Sequence, residues 1–118
     1  MEDKNSFALA SHTVGDVSVL ALTGRFDAYT ANKAKDWLEE ATTGQPAHIV
    51  VNLEDVTFVD STALATLVQG MKHSRQKDGD LRLCNLQQKV RIIFELTRLD
   101  RAFEIFPGED EAIRAFAH

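Results

Sequence analysis

One run of the sequence, from Ile49 to Val68 (IVVNLEDVTFVDSTALATLV), constrains the fold more than any other. It begins with a β-branched apolar stretch whose lack of clean alternation predicts a strand covered on both faces, in the centre of a sheet. A short acidic turn is expected next. One helical face follows at the spacing i, i+3, i+4, i+7, formed by Leu64, Leu67, Val68 and Met71. The helix should therefore pack on the sheet.

Asp60, Ser61 and Thr62 mark the start of this helix. All three residue types accept hydrogen bonds from the free N–H groups of a first helical turn, and the sequence leaves open which of them is the N-cap. Capping is by itself a sufficient explanation for these residues. A functional explanation also exists, because the free N–H groups and the dipole of a helix N-terminus favour a phosphate added to a hydroxyl.

Turn signals and hydrophobic spacing divide the rest of the chain into an α/β order. The expected elements are strands at 7–13 and 17–23, a helix at 30–41, the central strand and helix, a strand at 81–84, a helix at 86–97, a strand at 103–106 and a last helix from 109. Gly15 and Asp16 should connect the first two strands as an antiparallel hairpin. The order ββαβαβαβα predicts a mostly parallel central sheet of about five strands with helices packed against it.

Composition indicates one small domain that spans residues 1–118. The chain is 44% hydrophobic, which suffices for one sizeable core. A net charge of −5 argues against nucleic acid or an anionic membrane as the main partner, so a protein or a small molecule fits better. No segment suits a signal peptide or a membrane span, and the expected location is the cytoplasm. Cys84, the only cysteine, is expected to be a core residue.

Motifs of catalytic and metal sites are largely missing, so the sequence predicts neither an enzyme nor a metal or cofactor. There is no GxxxxGK[ST] loop, no GxGxxG after a strand and no GxSxG around Ser61. Asp27 and Asp60 are candidates for a carboxylate pair, but solvated turn residues are the favoured interpretation. The histidines show no i, i+4 pairing and are expected to be solvated: His12, His48, His73 and His118.

Two separated segments resemble the STAS family, specifically the bacterial anti-sigma factor antagonists. The segment LEDVTFVDSTALATLV resembles the family signature in which a strand and turn lead into Asp-Ser-Ser-Gly-Leu-Gly. Upstream, LTGRFDAYTA (residues 22–31) resembles the family segment Leu-Thr-Gly-Glu-x-Asp-x-x-Thr-Ala. The resemblance covers nearly the whole chain, and it implies a single STAS-like domain.

The resemblance also implies a function. In such antagonists, the serine directly after the aspartate is phosphorylated by an anti-sigma factor that is itself a serine kinase, and a metal-dependent phosphatase removes the phosphate. That serine is Ser61 here, with Thr62 as a second candidate. The unphosphorylated antagonist binds the anti-sigma factor and frees a sigma factor, whereas the phosphorylated form does not bind. The implied partner-binding residues are Gly24, Asp27, Thr30, Asp60, Ser61, Thr62 and Ala63. Many family members are monomers, which sets the expectation for this chain.

Three positions depart from the family pattern. Ala63 and Ala65 stand where glycine is common, and Arg25 stands where an acidic residue is common. Two alternatives therefore stay open. One alternative to the partner switch is a STAS scaffold or subunit in a signalling or lipid-transport complex without sigma-factor control. The other, less favoured, is a small enzyme built on Ser61, Asp27 and Asp60.

Overall fold

The computed structural model describes residues 7–116. Its elements, in chain order, are β1 (Ala8–Val14), β2 (Val17–Phe26), α1 (Ala31–Ala41), β3 (His48–Val59), α2 (Ser61–Gln76), β4 (Asp80–Cys84), α3 (Gln88–Leu96), a 3-10 turn (Leu99–Arg101), β5 (Ile105–Phe106) and α4 (Glu109–Arg114). This is the predicted order. Within residues 7–116, none of the helices combines the length and hydrophobicity that crossing a bilayer would require.

The five strands form one sheet in the order β1-β2-β3-β4-β5. β1 and β2 pair antiparallel, and Gly15 in their turn has a φ of 61°, a left-handed conformation that favours glycine. The other three strand pairs are parallel. Parallel neighbours need a long crossover, which α1, α2 and α3 supply. The predicted fold class, a mostly parallel central sheet with an antiparallel N-terminal hairpin and helices packed against it, is confirmed.

β3 lies in the middle of the sheet and is buried on both faces, as its sequence predicts. Val51 belongs to the main core with residues of α1, α2 and α3, among them Leu38, Leu67 and Phe94. Its neighbour Val50 belongs to a second cluster that contains Ala112 of α4. Because successive strand side chains point to opposite faces, α1, α2 and α3 cover one face and α4 covers the other.

The expected acidic turn after the apolar part of β3 is wrong, because the strand continues to Val59. Two register shifts interrupt the pairing of β2 with β3, and the first places an extra residue between Asn52 and Asp55. Such a bulge leaves a backbone group without a ladder partner. Here the N–H of Glu54 donates to Oδ1 of Asn52 at 2.9 Å. Glu54 and Asp55 are both exposed, so the bulged strand has the polar pattern of a turn.

The expectation that the histidines are solvated is wrong for His48. Its side chain is 18% exposed, with Nδ1 3.5 Å from a carboxylate oxygen of Asp16. Its ring stacks on Phe116 at 4.4 Å, because the chain after α4 covers the start of β3. His12 and His73 are exposed, as expected. His118 lies outside the described residues.

Cys84 is fully buried at the end of β4, as its predicted core role requires. Burial raises the pKa of its thiol from 9.0 to about 12, and the nearby carboxylate of Glu109 adds to the effect. A thiol with such a pKa stays protonated near neutral pH, and the thiolate is the reactive form. Cys84 is therefore a packing residue.

Candidate functional site

The start of α2 carries the predicted hydroxyl pair, and the structure identifies its cap. Asp60 is the N-cap, with extended backbone (φ −119°), and its Oδ1 accepts a hydrogen bond from the N–H of Ala63 at 2.9 Å. Ser61 is the first residue of the helix, and both Ser61 and Thr62 are exposed. Their N–H groups belong to the first turn, which has no intrahelical acceptors. The Ser61 hydroxyl is thus accessible beside a positive helix end.

The second oxygen of the Asp60 carboxylate reaches another part of the chain. Oδ2 accepts a hydrogen bond from the N–H of Ala28 at 2.9 Å, across 32 residues of sequence. Ala28 lies in the loop between β2 and α1, which is residues 27–30 and is called the 27–30 loop below. One carboxylate therefore joins the two segments that carry the sequence motifs, and both segments contribute to one surface.

Asp27 and Thr30 give the 27–30 loop its shape. Oδ1 of Asp27 accepts from the N–H of Tyr29 at 3.0 Å, which is an Asx-type turn. The Thr30 hydroxyl donates to the carbonyl of Arg25 at 2.8 Å and accepts from the N–H of Asp27 at 2.9 Å. Both side chains are half-buried and engaged within the loop. The Asp27 and Thr30 side chains therefore stabilise the shape of the loop rather than project from it as contact groups.

Two of the predicted partner-binding residues are buried. Ala63 has no exposed surface, and its methyl group belongs to the main core. Gly24 is buried in β2 with a φ of 97°, a conformation that side chains rarely adopt. Neither position offers a side chain to a partner. Ala65, the other departure from the family glycines, is exposed on α2.

Arg25, the third departure from the family pattern, modifies the charge of this surface. Its Nε lies 3.5 Å from Oδ2 of Asp27, and its guanidinium lies 4.0 Å above the ring of Phe58. A guanidinium held over an aromatic face is stabilised by the electrostatic quadrupole of the ring. The positive charge is therefore fixed next to Asp27 and offsets it, whereas the hydrogen-bond partners of Asp60 within residues 7–116 are backbone N–H groups.

A groove of about 470 Å³ runs between α1 and α2 and borders the same surface. It is lined by apolar and polar residues of both helices, namely Ala31, Asn32, Lys35, Leu38, Glu39, Thr62, Ala65, Thr66, Gln69, Gly70 and His73. Thr62 belongs both to this groove and to the start of α2. The sequence analysis did not identify the groove, because its two walls come from helices that are separated by β3.

The carboxylates of Asp27 and Asp60 follow the paired ends of β2 and β3, but both are half-buried and each accepts hydrogen bonds from backbone N–H groups. That is the behaviour of turn and cap residues rather than of a general acid and base pair. Residues 7–116 contain no group of three or more histidine, cysteine or acidic side chains that is suited to a metal ion. The arrangement therefore presents the Ser61 hydroxyl on the surface that Asp60 forms with the 27–30 loop.

Comparison with known proteins places this geometry in a family. The family model described as STAS domain matches residues 8–112. An anti-sigma-B factor antagonist of Listeria monocytogenes is 34% identical over 90 residues, which are 76% of this chain and 79% of the relative. An anti-sigma factor antagonist from Mycobacterium paratuberculosis has a TM-score of 0.86 at 23% identity, covering 98% of this chain and 97% of that one.

A third comparison concerns a protein that was solved with phosphate attached. The Bacillus cell fate determinant SpoIIAA in its phosphorylated form has a TM-score of 0.70 at 23% identity, covering 94% of this chain and 99% of that chain. This likeness shows the shared fold. The family model and the Listeria relative establish that the chain belongs to the STAS domain family, among relatives named anti-sigma factor antagonists.

Proposed function

We propose that the chain is an anti-sigma factor antagonist that works as a phosphorylation-controlled partner switch. The unphosphorylated form binds an anti-sigma factor that is a serine kinase, and a sigma factor is released. Phosphorylation of Ser61 abolishes that binding. The observation that carries the proposal is the position of Ser61, exposed as the first residue of α2 on the surface that Asp60 builds with the 27–30 loop. Thr62 is the second candidate acceptor.

Electrostatics explains how one site can carry a phosphate without loss of the fold. A phosphate on Ser61 lies at the positive end of a helix 16 residues long, where free N–H groups can donate hydrogen bonds to its oxygens. At an interface, however, about two added negative charges next to Asp60 must be desolvated, and they repel acidic groups of the partner. The phosphate thus acts on the contact surface while the core stays intact.

The remaining partners follow from the switch. A metal-dependent serine phosphatase resets the protein by removing the phosphate from Ser61. The chain acts as a regulator rather than as an enzyme, and it contacts neither nucleic acid nor membrane directly, in keeping with its net charge of −5. We further propose that residues 1–118 form one STAS domain that works as a monomer in the cytoplasm.

The proposal is tested with variants of the acceptor serine. We expect Ser61→Ala to bind the kinase-type anti-sigma factor normally and to resist phosphorylation. Peptide mass mapping identifies the residue that is phosphorylated in the chain that retains Ser61. Ser61→Glu should bind at least about tenfold more weakly, because like charges at an interface cost more than 1.4 kcal/mol. Thr62→Ala is the matched control, since it removes the neighbouring hydroxyl and should leave phosphorylation intact. Equal binding by all three variants would contradict the switch, whereas a chain that stays unmodified in stressed and unstressed cells would favour the scaffold alternative.

A further inference from the structure

Tyr29 has no role in the switch proposed above. Its side chain is 95% exposed, more than any other large hydrophobic residue in the described part of the chain. A protein gains nothing in stability from an aromatic ring held in water, because the ring buries no apolar area there. Tyrosine is one of the residue types enriched in protein interfaces, where it combines a large ring with a polar hydroxyl.

The loop that carries Tyr29 is pinned by hydrogen bonds on both sides of it. The N–H of Tyr29 donates to the Asp27 carboxylate at 3.0 Å, and the preceding N–H of Ala28 donates to Asp60 at 2.9 Å. The following N–H groups of Thr30 and Ala31 both donate to the carbonyl of Asp27. The backbone of Tyr29 is therefore ordered before any partner binds. A preordered loop loses little conformational entropy on binding, which favours affinity.

Asp60 places Tyr29 on the same surface as Ser61. The carboxylate is one residue from Ser61 in sequence and is bonded to the residue before Tyr29. A partner that covers Ser61 therefore lies next to the Tyr29 loop. The start of α2 contributes the hydroxyls of Ser61 and Thr62 and the Asp60 carboxylate to this surface. The 27–30 loop contributes one large apolar group, the ring of Tyr29.

We propose that Tyr29 is an anchor residue for the protein partner that docks over Ser61. The partner is expected to offer an apolar pocket for the ring, with a hydrogen-bonding group at its base for the phenol hydroxyl. Asp60 and Asp27 are positioning residues that hold the anchor in place. This inference rests on the proposed function, because the partner is the same kinase-type anti-sigma factor.

The test measures the affinity of that anti-sigma factor for variants made in the Ser61→Ala background, which prevents phosphorylation during the titration. We expect Tyr29→Ala to weaken binding by at least about 30-fold, the effect of losing a hot-spot residue, and Tyr29→Phe to stay within about fivefold. Leu96→Ala is the matched control. Leu96 is 78% exposed at the end of α3, outside the proposed surface, and its loss should leave the affinity unchanged.

The outcomes separate the two proposals. If the Ser61→Ala chain does not bind the anti-sigma factor, the proposed function fails and the inference fails with it. If that chain binds and Tyr29→Ala binds equally well, only the inference is overturned. The thermal midpoint of Tyr29→Ala should be unchanged, because the side chain is almost fully exposed. An unchanged midpoint shows that a loss of affinity comes from the lost contact and not from unfolding. Equal losses of affinity for Tyr29→Ala and Tyr29→Phe would overturn the inference that the aromatic ring is the anchoring group.

Discussion

At the scale of single residues, the site depends on the carboxylate of Asp60. One of its oxygens caps α2 through Ala63, and the other holds the 27–30 loop through Ala28. A serine or threonine cap has one side-chain oxygen, whereas the aspartate gives each of the two donors an oxygen of its own. The double contact therefore gives a physical reason for an aspartate directly before Ser61, independent of any direct role in binding.

We expect Asp60→Ala to lower the free energy of unfolding by about 1–2 kcal/mol, since a lost N-cap costs about 1 kcal/mol and a lost hydrogen bond a similar amount. Asp60→Asn keeps one acceptor oxygen and should lose about half as much. Urea denaturation measures both. Asp55→Ala removes an exposed carboxylate of β3 and should change stability by less than about 0.5 kcal/mol. A loss at Asp60 no greater than at Asp55 would contradict the double contact.

At the scale of elements, Asn52 ties the bulge of β3 to α4. Its Oδ1 accepts from the N–H of Glu54, and its Nδ2 donates to Oε2 of Glu109 at 2.8 Å. Glu109 opens α4, where a negative charge complements the helix dipole. A single side chain thus fixes the irregular part of the central strand and the helix on the second face.

We expect Asn52→Ala to lower the free energy of unfolding by about 1–2 kcal/mol, because it removes two hydrogen bonds, of which the one to Glu109 is half-buried. Asn52→Asp should cost more at pH 7, since it places a second carboxylate against Glu109 in place of a donor. Urea midpoints at pH 7 measure both variants, and a cost of Asn52→Asp no greater than that of Asn52→Ala would refute the charge explanation.

At the scale of the whole molecule, the order of elements was predictable because each of them has a local signal. The hydrophobic spacing of α2, the hairpin turn at Gly15 and the apolar run of β3 all depend on residues close in sequence. The start of α2 at Ser61 and the positive φ of Gly15 agree with those predictions. The same holds for the burial of Cys84.

The remaining features depend on contacts between distant segments, which a sequence pattern does not contain. The bulge of β3 depends on its register with β2, so the local sequence pattern wrongly predicts a turn there. The burial of His48 depends on Phe116, which lies far along the chain. The bond from the Ala28 N–H to Asp60 forms only when the 27–30 loop meets the start of α2. The sequence indicated Ser61 as a candidate, and the partner-binding set stays a prediction.

The central claim is that a phosphate on Ser61 removes a binding surface and leaves the fold intact. The most direct measurement is the affinity of the anti-sigma factor kinase for homogeneous phosphorylated and unphosphorylated chains, together with the thermal midpoint of each. The account predicts an affinity at least about 100-fold weaker after phosphorylation, since like-charge contacts at an interface cost several kcal/mol, and a nearly unchanged midpoint. Equal affinities, or a loss of binding that accompanies unfolding, would contradict it.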